Sequence, residues 1–185
     1  MNEGLITRRY AKALLEYAAA SGEDKDVYGR MKSLQNQLLV LPPLREALQS
    51  PVVSLEDKMQ LMLTASGGGE FENSIKRFIK LVLRNDRGRL MQNIALSYMQ
   101  LYRLANNITV VQLITVFPLS VDTLERIRHE VGLRTRGEVE LETFVDPSIE
   151  GGLIFQIDDL RLDASVAGQL EKIRRQFIQK NRIIV

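Results

Sequence analysis

Few side chains here are of the types that enzymes use, and their spacing works against each familiar assignment. The chain has no Cys and one His. That removes disulfides, thiolate metal sites and cysteine nucleophiles, and leaves no imidazole set for a metal or a triad. His129-Glu130 has the look of a zinc-protease helix start, but Leu133 stands where the second His is required. Gly67-Gly68-Gly69 precedes a helix, as phosphate loops do. A P-loop needs Lys after its last Gly, however, and Glu70 follows here, with helix rather than strand before it. A plain loop is expected. Asn107-Ile108-Thr109 fits the glycosylation acceptor pattern, but Met1 to Tyr10 lacks the apolar run of a secretory signal, so the pattern carries no weight. No catalytic residue, cofactor site or metal ligand is assigned.

Two features of the fifth helical segment carry more. Lys76, Arg77, Lys80 and Arg84 form a basic stripe, continued by Arg87 and Arg89. Such a stripe suits phosphate contacts, which makes a helical nucleic-acid-binding module the alternative reading. No aromatic residues interleave to stack bases, so a solvated helix face is the simpler account. The run Phe78-Ile79-Lys80-Leu81-Val82-Leu83 is apolar at five of six positions, more than one buried stripe requires. Leu81 projects away from the Phe78–Val82 face. Either this helix is central in a bundle, or a second face receives a partner helix.

The whole chain is 185 residues, 45% hydrophobic and 26% charged, with net charge +2, which fits a globular protein of one or two domains. No apolar run approaches the roughly 18 residues of a membrane span. Charge is uneven: residues 1–105 carry 15 basic and 11 acidic side chains, residues 106–185 carry 10 and 12. Eight acids fall between Glu138 and Asp163 against one base, and five bases follow Glu171. Two units are implied.

Periodicity places the elements. Helix is expected over 4–20, with Tyr10, Ala13, Leu14 and Tyr17 on one face, and Gly22 ends it. A second runs from Asp24 to Leu41, stopped by Pro42-Pro43, and a short third covers 44–49. Ser54 with Asp57 reads as a variant capping box opening a fourth. Further helices are expected over 70–84 and 89–105 with a polar turn between, completing a six-helix bundle. The period then changes. Ile108 to Phe117 reads as a strand, Ser120 caps a helix to about Gly132, and Gly137 opens a second strand in which Glu138, Glu140 and Glu142 alternate with Val139, Leu141 and Thr143. A third strand covers Leu153 to Ile157 and a short fourth Leu160 to Leu162. Asp163 or Ser165 caps a last helix that turns Val166, Leu170, Ile173 and Phe177 to the sheet and Ala167, Arg174 and Ile178 elsewhere. The expected class is mainly α: a bundle over 1–106, a linker near 105–108, and a small α+β domain over 107–185.

The stretch Val139-x-Leu141-x-x-x-Val145-Asp146-x-x-Ile149-x-Gly151-Gly152-Leu153-x-Phe155-Gln156 resembles the signature of the delta subunit of F-type ATP synthase, the family that includes the mitochondrial oligomycin-sensitivity-conferring protein. Leu162-Asp163-Ala164-Ser165-Val166, the early Tyr10-Ala11-Lys12-Ala13-Leu14 and Asn85 with Gly88-Arg89-Leu90 are similar to that family's other segments. Phe155, Asp158, Ala164, Ala167 and Gln169 depart from its usual residues. The resemblance implies a non-catalytic stator subunit without cofactor, whose bundle holds N-terminal helices of alpha subunits and whose second domain meets the C-terminal ends of b-type stalk subunits. It implies attachment to the inner membrane only through the complex, on the cytoplasmic side of a bacterial cell, given no transit peptide. No nucleic acid is implied. The helix site is expected between the first and fifth helices, at Tyr10, Ala13, Leu14, Tyr17, Phe78, Leu81 and Val82. Asp146, Gly151 and Gly152 would form the signature's turn, and Ala167, Arg174 and Ile178 would face the stalk.

Overall fold

The computed structural model describes residues 3–68, 73–135, 137–157 and 160–171. The chain divides into two compact units, Met1–Ala105 and Asn106–Val185. It joins a helical bundle to a small α+β unit, the class the residue pattern suggests.

In the first unit the helices are α1 (Glu3–Ser21), α2 (Asp24–Val40), α3 (Pro42–Gln49), α4 (Leu55–Ala65), α5 (Asn73–Arg84) and α6 (Met91–Ala105). α6 packs against both α1 and α2, and α5 against α1 and α4. The core is the set of residues that recur every three or four positions: Ala11, Leu14 and Ala18 of α1, Val27, Met31, Leu34 and Leu38 of α2, and Ile94, Ala95 and Tyr98 of α6 are all buried. Tyr98 donates its hydroxyl proton to the Asp24 carbonyl, and burial, ahead of the charge of Asp24, pushes its phenol above the ordinary range.

Local chemistry sets the ends. Gly22 takes φ +69° while Glu23 N–H reaches back to the Ala18 carbonyl at 2.9 Å, a Schellman stop for α1. The Pro42-Pro43 pair does more than stop α2. It forms the first turn of α3, where a missing N–H costs nothing, so α3 begins two residues before its expected start. Ser54 Oγ accepts from Asp57 N–H at 3.1 Å and donates to the Asp57 carboxylate at 2.7 Å, capping α4. Ser54→Ala should therefore cost about 1 kcal/mol; urea denaturation with unchanged midpoint would contradict that role.

In the second unit the strands are β1 (Ile108–Thr115), β2 (Glu138–Val145), β3 (Leu153–Ile157) and β4 (Leu160–Asp163), in the order β2-β1-β3-β4. β1 and β2 are parallel, joined across α7 (Val121–Thr135), and the other pairs are antiparallel. Val111, Leu113 and Val131 form the core, with Leu124, Ile127, Val139, Leu141, Phe155 and Ile157 packed on it. The alternating glutamates thus share β2 with the two apolar residues that face the core.

Three local expectations change. β1 ends at Thr115, not Phe117: Thr115 Oγ1 donates to the Phe117 carbonyl at 2.7 Å and Phe117 is 75% exposed. α7 runs past Gly132 to Thr135, whose hydroxyl bonds the Val131 carbonyl. Residues 166–171 are helical, but Val166 and Leu170, expected on the sheet, are 43% and 55% exposed. Ile173 and Phe177 lie outside the described residues.

Candidate functional site: an apolar groove and a glycine turn

α1 and α5 run antiparallel, because Tyr10 meets Asn85 and Arg87 while Tyr17 meets Arg77. Between them lies an open groove of about 370 Å³. Tyr10, Ala13, Leu14 and Tyr17 line it from α1, and Ser74, Arg77, Phe78 and Leu81 from α5. Its floor is rigid. Leu14 and Phe78 are buried, and the Tyr10 and Phe78 rings meet edge to face at 6.3 Å and 68°. Its upper parts are wet: Tyr17 is 40% and Leu81 50% exposed.

Two tyrosine hydroxyls hold the walls together. Tyr10 Oη accepts from Asn85 Nδ2 at 3.0 Å and Arg87 Nη1 at 2.8 Å, and the Arg87 guanidinium lies 5.1 Å from the ring centre. Tyr17 Oη accepts from Arg77 Nη1 at 2.8 Å. The turn after α5 is thereby tied to α1.

Six of the seven residues expected to hold a partner helix come together here. Val82 does not: it is completely buried and lies outside the lining, because residues of α5 one position apart point about 100° from each other. Ser74 and Arg77 take part instead. The spacing of Ser74, Arg77, Phe78 and Leu81 is i, i+3, i+4 and i+7, a second helical stripe that periodicity could have singled out. Among the described residues the lining holds no carboxylate and no imidazole. Such a surface has the shape and apolar character that suit a helix face.

The expected turn in the second unit is also built. Asp146 caps a short 3₁₀ turn (Pro147–Ile149), its carboxylate accepting from Ser148 N–H at 2.9 Å. Bonding to Ser148 holds that carboxyl below its usual range, so its contribution is present at neutral pH and lost as acid protonates it. Gly152 takes φ +75°, and a Cβ there would sit 2.2 Å from the Ala164 carbonyl oxygen. The strand returns through that contact: Ala164 N–H bonds Leu153 O and Val166 N–H bonds Gly151 O, each at 3.0 Å. Asp163 and Ser165 share the capping. Asp163 accepts from the Ser165 backbone N–H, and Ser165 Oγ accepts from Gly168 N–H. Ala167 is half-buried on this helix; Arg174 and Ile178 lie outside the described residues.

The chain resembles proteins of one kind along nearly its whole length. The sequence model of the family described as ATP synthase delta (OSCP) subunit matches residues 6–177. A relative in Bacteroides thetaiotaomicron named ATP synthase subunit delta is 47% identical over 100% of both chains. One of the same name in Phocaeicola vulgatus is 44% identical over 98% of each. A chain in a structure of the Toxoplasma gondii mitochondrial ATP synthase hexamer superposes with TM-score 0.68 at 22% identity, over 96% of this chain and 98% of that one. At that identity the likeness speaks for fold.

Proposed function

This chain belongs to the ATP synthase delta (OSCP) subunit family, and from that premise we propose that it is a stator connector with two binding surfaces and no catalysis of its own. The bundle takes an N-terminal helix of an alpha subunit of the catalytic head in the α1/α5 groove. The second unit meets the ends of the b-type stalk subunits. The chain resists rotor torque, so that ion-driven rotation changes the catalytic sites instead of spinning the head. It is peripheral, on the cytoplasmic face of the membrane, held there by the complex. No described helix is long and apolar enough to cross a membrane.

The observation that carries this reading is the groove: two antiparallel helices leave an apolar channel open between them. Burying one large apolar side chain contributes about 1.5–3 kcal/mol. Several such anchors are needed to offset the cost of ordering the peptide and reach the roughly 8 kcal/mol of micromolar binding. Rim ion pairs, at about 0–1 kcal/mol each, do not reach that alone. Nothing adds support to the nucleic-acid alternative, and Arg77 of its basic stripe lines the groove with its guanidinium donating to Tyr17.

Titration of the isotopically labelled full chain with the alpha-subunit N-terminal peptide tests the assignment. Amide shifts should centre on Tyr10, Ala13, Tyr17, Arg77 and Leu81. Saturable shifts confined to residues 107–185 would place the site in the wrong unit.

A further inference from the structure

One end of the groove is polar, lined by Ser74, Arg77 and Tyr17. Ser74 is 1% exposed, and among the described residues its Oγ is the buried side-chain polar atom without a hydrogen-bond partner. It lines the groove one helical turn from Arg77. Arg77 is exposed, donates to Tyr17 Oη at 2.8 Å and has no ion pair among the described residues. Tyr17, by accepting that bond, keeps its own proton to give. The Glu23 carboxylate accepts from the Ser74 backbone N–H at 3.2 Å rather than from its hydroxyl. Three groups able to donate therefore meet at one end of an apolar channel, and among the described residues the Ser74 hydroxyl has no partner there. A buried hydroxyl left unmet costs free energy, so natural structures seldom keep one without a use.

We propose that this end is a carboxylate subsite: the helix that enters the groove presents an Asp or Glu whose oxygens accept from the Ser74 hydroxyl and the Arg77 guanidinium. This rests on the groove reading above and adds to it the register and charge of the occupant. Apolar anchors meet Ala13, Phe78 and Leu81, and one acid lies at the Tyr17 end. An apolar channel alone accepts a helix in many registers. A single charge-assisted contact at one end selects one of them, and with it the helix direction.

The full-length chain, titrated calorimetrically with the alpha-subunit N-terminal peptide, decides the matter. Arg77→Gln should weaken binding about tenfold, and so should changing one acidic residue of the peptide to its amide. The two changes together should cost little more than either alone. Ser74→Ala should weaken binding several-fold while leaving the free chain as stable as before, or more so, because it deletes an unpaired hydroxyl; a merely structural serine would show the reverse. If Ala13→Trp blocks the peptide but Arg77→Gln and Ser74→Ala bind it like wild type, or no acidic position couples to Arg77, the carboxylate subsite is wrong and the groove stands. If Ala13→Trp binds like wild type, the groove reading fails, and this inference with it.

Discussion

Ala13→Trp is expected to weaken the alpha-subunit helix at least about a hundredfold, near 3 kcal/mol, while the bundle melts within about 2 °C of wild type. Ala13 is exposed and lines the groove wall between Tyr10 and Tyr17. An indole there lies along the channel, over Phe78 and Leu81, and takes the space an incoming anchor would fill. The free chain loses nothing, because no core residue is displaced: Ala11 and Leu14, the buried neighbours, point inward. The loss of one well-packed anchor typically reaches this size at a helix-in-groove interface. Calorimetry supplies the affinity and circular dichroism the melting temperature. Wild-type affinity in a folded Ala13→Trp chain would move the site elsewhere.

Gly152→Val should have the largest effect on stability, at least about 3 kcal/mol for the second unit. Two costs add. The residue sits at φ +75°, where a β-branched side chain is strained, and its Cβ would meet the Ala164 carbonyl oxygen at 2.2 Å. Relief would require parting β3 from the segment that returns after β4, breaking the Ala164–Leu153 hydrogen bond. A small domain has only about 5–15 kcal/mol in total. Amide exchange should therefore show residues 108–171 opening far more readily, with α1–α6 protected as before. Unchanged protection throughout would mean that the glycine pair is not what closes this turn.

Much of the fold could be read along the chain because its signals are local. Gly22, Pro42-Pro43 and Ser54 punctuate the helices through contacts within a few residues of themselves. The alternation in β2 likewise picks out Val139 and Leu141 as core residues, although Thr143, in the same phase, is exposed. What escaped depends on residues far apart. Val82 and Ser74 both belong to α5, and which of them meets the groove is set by how α5 is rotated against α1, through bonds such as Arg77 to Tyr17, 60 positions away. That rotation has no local signature. The unpartnered Ser74 hydroxyl is invisible in a sequence for the same reason, since a serine near a helix start is normally read as a cap. The strand order β2-β1-β3-β4 is also non-local: the β1–β2 pair closes only over the whole of α7.

The connector role makes a demand that no single-surface protein can meet. Catalytic head stripped of this subunit, a soluble b-type stalk fragment and the purified full-length chain can be mixed and followed by sedimentation velocity. The account predicts that head and stalk fragment travel as one complex only when the chain is added, and that with Ala13→Trp the chain still travels with the stalk fragment but no longer with the head. Head and stalk fragment sedimenting together equally well without the chain, or the Ala13→Trp chain bridging them like wild type, would contradict it.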